Sequence, residues 1–167
     1  WANVRAKDDF NRIFAADKGG STHGYRLFRG NLTDNWVFGL DDTVETSIIG
    51  TSNPKLNVWT HVCGVYNGTN GLIWVDGVQE GSGSPGTWTP DYSLVTSFAI
   101  GARVTGNANH FNGLIDEVRV YNRALSAEEV KALYKSSAVK FQNPTNLGLV
   151  GYWSFNEGTS TQSTTIF

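Results

Sequence analysis

Residues 111–134 read FNGLIDEVRVYNRALSAEEVKALY, and their pattern changes from period two to helical within a few residues. From 114 to 121 the side chains alternate, which predicts one long strand. Leu114, Asp116, Val118 and Val120 share the face read as inward, and Ile115, Glu117, Arg119 and Tyr121 share the other. An ionised carboxylate among apolar neighbours is costly unless it is paired, holds a cation or collects backbone N–H groups, so Asp116 needs a partner. Ser126 followed by Glu129 is a capping box, and Leu125 with Val130 has the spacing of a hydrophobic staple. A single helix over 126–134 follows, with Val130, Leu133 and Tyr134 as its apolar stripe.

The rest of the chain has the composition that such a strand requires around it. The 167 residues suit one domain, 40% are hydrophobic and 17% charged, so a real core can form. With 19 glycines and 21 aromatic residues (6 Trp, 6 Tyr, 9 Phe), and one clear helical pattern, short strands joined by tight turns are expected. The net charge of -2 is spread without basic clusters, which argues against nucleic acid or an anionic membrane as partner. No apolar run is long enough to span a bilayer and no signal-peptide pattern is present. The chain contains no Met, so it is expected to be processed or a fragment. Cys63, the single cysteine, forbids an internal disulfide and reads as a small buried hydrophobe on a strand face with Trp59, His61 and Val65. A nucleophile would need a base and a cleft, and the same weighing applies to His61.

Taken in order, strands are expected at 1–6, 11–16, 25–28, 36–40 and 44–49, at the even spacing of a sandwich or barrel. Strands at 59–66 and 72–75 flank NGTNG and form a hairpin, and Asp76-Gly77 then opens a second one. Residues 81–93 form a long Gly, Ser and Pro loop, 98–102 a strand, and 105–110 a second loop. Past the helix, 135–148 is a polar connector, LVGYWSF at 149–155 a strongly apolar strand, and 159–167 a Ser/Thr-rich tail.

Three segments together, WTHVCGVYNGTNGLIWVDG at 59–77, the stretch at 111–134 and GLVGYWSFNEG at 148–158, resemble the laminin-G-like, concanavalin A-like jelly-roll domains of bacterial surface proteins. The resemblance implies an all-β, two-sheet antiparallel sandwich with one short peripheral helix. It makes 1–134 the jelly-roll domain, without its usual opening strands. In the family the segment resembling GLVGYWSFNEG opens the domain, whereas here it comes last. The chain is then a fragment of a tandem array, a permuted domain, or a subunit that exchanges its terminal strand, with 149–158 pairing in its own or a neighbouring copy. The resemblance also implies one structural calcium with Asp116 among its ligands, the alternative being an Asp116 satisfied by backbone N–H groups.

Three functions compete on this fold. A glycoside hydrolase needs two carboxylates across a sugar bond. The acidic pairs Asp8-Asp9, Asp41-Asp42, Asp116-Glu117 and Glu128-Glu129 are adjacent rather than two apart, so on a strand they point to opposite faces, and no enzyme is expected. A carbohydrate-binding module would use aromatic and polar loop residues: Trp88, Asp91 and Tyr92 in the first long loop, and Asn107, Asn109 and His110 in the second. Trp88 has an alternative role pinning its loop to the sandwich, while Trp36, Trp59 and Trp153 are expected in the core. The favoured reading is a non-catalytic extracellular or cell-surface module for adhesion or fibre architecture. Its partners would be copies of itself and glycans, and Leu149, Val150, Tyr152, Trp153 and Phe155 would form an exchanged strand.

Overall fold

The computed structural model describes residues 1–7, 12–17, 24–30, 34–41, 45–86, 97–103, 109–138 and 147–155. One layer is a five-stranded antiparallel sheet. It holds β2 (Arg12–Asp17), β3 (Gly24–Arg29), β4 (Trp36–Asp41) and β5 (Glu45–Ile49), with β10 (Ser97–Ile100) on the outer side of β2. The facing layer is built from three shorter ladders. In the first, β1 (Ala2–Val4) lies between β6 (Trp59–Thr60) and β11 (Gly113–Ile115). The second is the meander of β7 (Val62–Tyr66), β8 (Gly71–Val75) and β9 (Val78–Gly83), and the third pairs β12 (Val118–Tyr121) with β13 (Leu149–Trp153). Thus β7 prolongs β6 past His61, and β12 prolongs β11 past Asp116 and Glu117.

The turns of the meander follow from their residues. Asn67 Oδ1 accepts the N–H groups of Thr69 and Asn70, closing the first hairpin with an Asx turn. Asp76 and Gly77 take φ values of 48° and 76°, the left-handed pair that a two-residue hairpin needs. The meander packs tightly onto β4 and β5 because it presents glycine there. A Cβ on Gly64 would stand 2.4 Å from the Phe38 ring, and one on Gly71 2.6 Å from Ile48 Cδ1. Ala2, Val4, Ile73 and Val75 from this layer meet Ile13, Trp36, Phe38, Leu40 and Ile48 from the other in the main core.

The expected sandwich and its one helix are both present, and the capping box forms: Ser126 N–H donates to Glu129 Oε2 at 2.8 Å, and Glu129 N–H to Ser126 Oγ at 3.3 Å. The helix α1 spans Ala127–Ala138, running on past Tyr134. It lies on the outer side of the meander, where Val130 joins Val65 and Trp74, with Leu125 and Cys63 against them. Three expectations are corrected. The single strand at 114–121 is two strands, because Glu117 takes a positive φ of 53° and Asp116 Oδ1 accepts the Glu117 N–H at 2.8 Å, a bulge that resets the alternation. Ile115 and Val118 therefore face inward, while Leu114 is exposed. Strand 59–66 likewise breaks at His61, whose N–H goes to Asp76 Oδ1 and whose carbonyl accepts the Asp76 N–H. Past that break Cys63 and Val65 face α1, and Trp59 is 42% exposed rather than core. Finally, β9 reaches Gly83, into the stretch read as loop.

Candidate functional site

Four of the sugar-binding candidates, Trp88, Asp91, Tyr92 and Asn107, lie outside the described residues. Asn109 and His110 sit where the second loop rejoins the sandwich: the Asn109 carbonyl accepts the Arg12 N–H at 3.4 Å, and His110 is exposed. Asn109 has a φ of 59°, as expected of a residue that tolerates the left-handed region. The second long loop thus rejoins the sandwich beside the start of β2, whereas the first enters the edge strand β10 at Ser97, opposite Asp17 at the end of β2. At that edge Phe98 is 58% exposed, with its ring 5.6 Å from Trp153 and 6.5 Å from Phe14. Sequence reasoning missed this aromatic edge, because β10 and β13 meet only through the layering of two sheets.

Asp116 is placed by its backbone. Its N–H donates to the Trp1 carbonyl at 3.0 Å, its carbonyl accepts from the Trp1 nitrogen at 2.8 Å, and its carboxylate accepts the Glu117 N–H. A calcium ion wants six or more oxygens. Among the described residues no group of three or more His, Cys, Asp or Glu side chains comes together, and the adjacent Glu117 is already engaged. Among the described residues Asp116 thus brings one carboxylate, with one backbone N–H donated to it, while Glu117 beside it turns to Arg119 and Tyr152.

Glu117 is the centre of a polar cluster across β12 and β13. Arg119 Nη2 donates to its Oε2 at 2.7 Å, the Tyr152 hydroxyl donates to its Oε1 at 2.6 Å, and the Arg119 guanidinium lies 4.8 Å from the centre of the Tyr152 ring. Burial, and then the hydrogen bond to Glu117, raise the Tyr152 pKa above its usual value. Arg119 pairs with Tyr152 in the ladder, so β13 is held to its own β12 by backbone and side chains together. The outward i, i+2 spacing of Glu117 and Arg119 was the visible part of this cluster; Tyr152 was not, since nothing local reports which strand lies beside it.

Between the layers lies a cleft of about 460 Å³. Its floor is the inner face of β2 to β4, with Phe14, Leu27 and Phe38; β7 and β12 are its walls, and Trp1 closes one end. His61 sits beside Trp1, with ring centres 5.3 Å apart, and its buried Nδ1 has no hydrogen-bond partner. Burial first, then the positive amino terminus and Arg119, push its pKa down to about 3. Part of Cys63 faces the cleft, but burial pushes its thiol up to about 12, so it stays protonated. This pair is a neutral ring and a neutral thiol, as the reading of both as structural groups requires. Carboxylates near the cleft are also committed: Asp76 caps the His61 N–H, Asp41 and Glu45 hold Arg26 at 2.5 Å, and Glu117 holds Arg119. Among the described residues no helix is long and apolar enough to cross a membrane.

The laminin-G family model described as the concanavalin A-like lectin/glucanases superfamily matches residues 1–131. No curated protein matches the chain. Among solved structures, a Bacteroides ovatus protein classed as carbohydrate-binding superposes with a TM-score of 0.73 at 21% identity; the alignment covers 97% of this chain and 45% of that one. This chain thus spans less than half of that protein. The CBM40 module of a Ruminococcus gnavus IT-sialidase superposes with a TM-score of 0.68 at 14% identity, covering 80% of this chain and 78% of the module. The heptameric SAP-like pentraxin of Limulus polyphemus does so with a TM-score of 0.62 at 13% identity, covering 99% and 78%. At these identities the structures share the fold. The chain belongs to the concanavalin A-like lectin/glucanase superfamily.

Proposed function

We propose that this member of the superfamily is a non-catalytic, lectin-like module of an extracellular or surface protein. The observation that carries this reading is the commitment of the carboxylates. Glycoside hydrolysis needs an acid and a second carboxylate on opposite sides of one bond. Among the described residues Glu117, the carboxylate that lines the cleft, holds Arg119, and Asp41, Glu45 and Asp76 farther out are tied to Arg26 or to the His61 N–H. Two of the similar structures carry carbohydrate-binding descriptions, and one was solved with α2,3 sialyllactose, which supports glycan as the ligand class. The contacts are assigned to the two long loops, through Trp88, Asp91, Tyr92, Asn107, Asn109 and His110, with exposed Phe98 as a further stacking face. A glycan array probed with the full chain should show binding that falls about tenfold in Trp88→Ala or Phe98→Ala, with unchanged melting temperature. No binding to any glycan, or hydrolysis abolished by removing one carboxylate, contradicts the proposal.

A second reading, adhesion or fibre building by strand exchange, is favoured by the surface of the terminal strand. Leu147, Val150 and Phe155 are 72%, 42% and 50% exposed around a strand that, among the described residues, is held by a single ladder. In exchange, Leu149, Val150, Tyr152, Trp153 and Phe155 would pair with the β12 of a neighbour. Truncation after Gly148 should then abolish polymer, with recovery on adding the missing peptide. Polymer that survives truncation contradicts it.

A further inference from the structure

Trp59, which the sequence pattern places in the core, stands on the outer face of the second layer and belongs to a row of side chains there. β1 runs between β6 and β11, with Asn3 opposite Trp59 on one side and opposite Leu114 on the other. Ala2 and Val4 of β1 point into the main core, so alternation turns Asn3 outward, and its cross-strand partners share that face. The row Trp59, Asn3, Leu114 thus crosses three strands, its two apolar ends about 10 Å apart, or two strand spacings. Trp59 and Leu114 are 42% and 41% exposed. The helix α1 meets this part of the layer at His61, through Tyr134 at 6.0 Å, and leaves Trp59 uncovered.

Asn3 sets the chemistry of the row. It is 8% exposed, yet among the described residues no hydrogen bond holds its side-chain amide, whose polar atoms remain reachable from the surface. An amide so placed favours a ligand group that both donates and accepts, such as a hydroxyl. The segment leading into Trp59 is fixed. Glu80 accepts the N–H groups of Thr51 and Ser52 at 2.9 and 2.8 Å, Leu56 bridges to Val4, and the Asn57 N–H donates to the Val4 carbonyl at 2.7 Å. It lies along β1 and presents Trp59 without an ordering cost on binding. Charge narrows the ligand further. Residues 1–7, 50–60 and 111–115 contain no Asp or Glu. Arg5, which alternation puts on the face of Asn3, and Lys55 are both exposed and, among the described residues, in no ion pair. In a chain of net charge -2 this is a locally positive face.

A Trp face takes the C–H face of a sugar ring, a free amide takes a hydroxyl, and a guanidinium takes a carboxylate through two parallel hydrogen bonds. A peptide adding as a strand would find β1 already paired on both sides. A bilayer would have to bury the Asn3 amide unpaired. We propose that the outer face of β6, β1 and β11 is a second glycan-binding surface, selective for sugars that carry a carboxylate, with the ring on Trp59, a hydroxyl on Asn3 and the carboxylate on Arg5. Lys55 adds attraction at longer range. This surface is separate from the loop residues and Phe98, and binding here stands whether or not those residues hold a sugar.

The test titrates two acidic sugars into the full chain, oligogalacturonate and sialyllactose, beside their neutral counterparts, methyl-esterified oligogalacturonate and lactose. Residue-resolved amide and indole shifts are the readout. At least one acidic sugar should bind at least about tenfold more tightly than its counterpart and shift Asn3, Trp59 and Leu114, and the one that binds tells a uronic from a sialic acid. Trp59→Ala and Arg5→Glu should each weaken this binding about tenfold, whereas Trp59→Tyr, which keeps an aromatic face, should retain most of it. Trp88→Ala and Phe98→Ala should leave these shifts unchanged, which separates failure of this surface from failure of the loop site. Should Trp59→Ala fail to fold, Arg5→Glu and Trp59→Tyr carry the comparison. No shift on this face with either acidic sugar, equal affinity for the neutral counterpart, or full binding in Trp59→Ala or Arg5→Glu overturns the proposal. Shifts produced there by phosphatidylserine vesicles or by raising the protein concentration, in place of the sugars, overturn it as well, since a membrane or a second copy is then the occupant.

Discussion

The two halves of this sandwich are closed in different ways. Where β7 to β9 cover β4 and β5, the layers meet through glycine: Gly64 under the Phe38 ring, Gly71 against Ile48 and Leu40, and Gly81 with its Cβ position 2.5 Å from the Ile49 carbonyl. Where β12 and β13 cover β2 and β10, the contact is made by Val118 and Trp153 on Phe14 and Phe98, and a cleft remains beside it. Side-chain chemistry is similar in the two halves, so hydrophobicity alone does not explain the difference. The glycines that the meander presents to β4 and β5 do, because they let the two layers approach closely there.

If that is right, equivalent truncations should cost unequal amounts. Ile73→Ala, at a fully buried position of the closed half, should destabilise by about 3 kcal/mol in chemical denaturation. Val120→Ala, on a wall of the open cleft, should cost less than about 1 kcal/mol, because the site is already incompletely packed. Equal losses would break the comparison. Gly64→Val should cost about 2 kcal/mol by driving a side chain into Phe38, and Phe38→Ala in the same chain should restore part of that loss; no rescue would mean that the glycine is not needed for packing.

Acid sharpens the comparison at the point where the halves meet. His61 titrates near 3 when folded and near 6.5 when unfolded, so the unfolded chain binds a proton that the folded chain refuses. Stability should therefore fall as pH drops through that window, by up to about 1.4 kcal/mol per pH unit, and level off below it. His61→Phe should flatten this dependence; an unchanged slope would show that the ring is not buried as described. A further modest effect is expected on the outer wall of the closed half. Ser126→Ala removes the helix cap and should cost about 1 kcal/mol, with faster modification of Cys63 as α1 loosens. A stability loss without any change at Cys63 would separate the helix from the meander.

What could be read in the sequence was what neighbouring residues decide. The Asn67 and Asp76-Gly77 turns and the Ser126 cap are set within a few residues, and all three stand where they were expected. The breaks at His61 and Glu117 were not legible, because alternation continues through both in the sequence. Each break is made by an Asp side chain, one of them fifteen residues away, that takes a backbone N–H. Misplacing Trp59 in the core followed from the first break, and misplacing Leu114 inward from the second. For the site, Glu117 and Arg119 were visible as an outward pair, whereas Tyr152, Phe98 and the cleft arise from strand order across layers, which no local pattern encodes.

Native-state amide exchange of the full chain, resolved by residue, tests the contrast between the halves most directly. Amides of β8, a central strand with partners on both sides, should exchange only on global unfolding, whereas β7 and β12 should show protected and fast-exchanging amides in alternation, the fast ones at least about 100-fold quicker. Uniform protection along β7 and β12, equal to that of β8, would contradict the single ladder that each makes among the described residues.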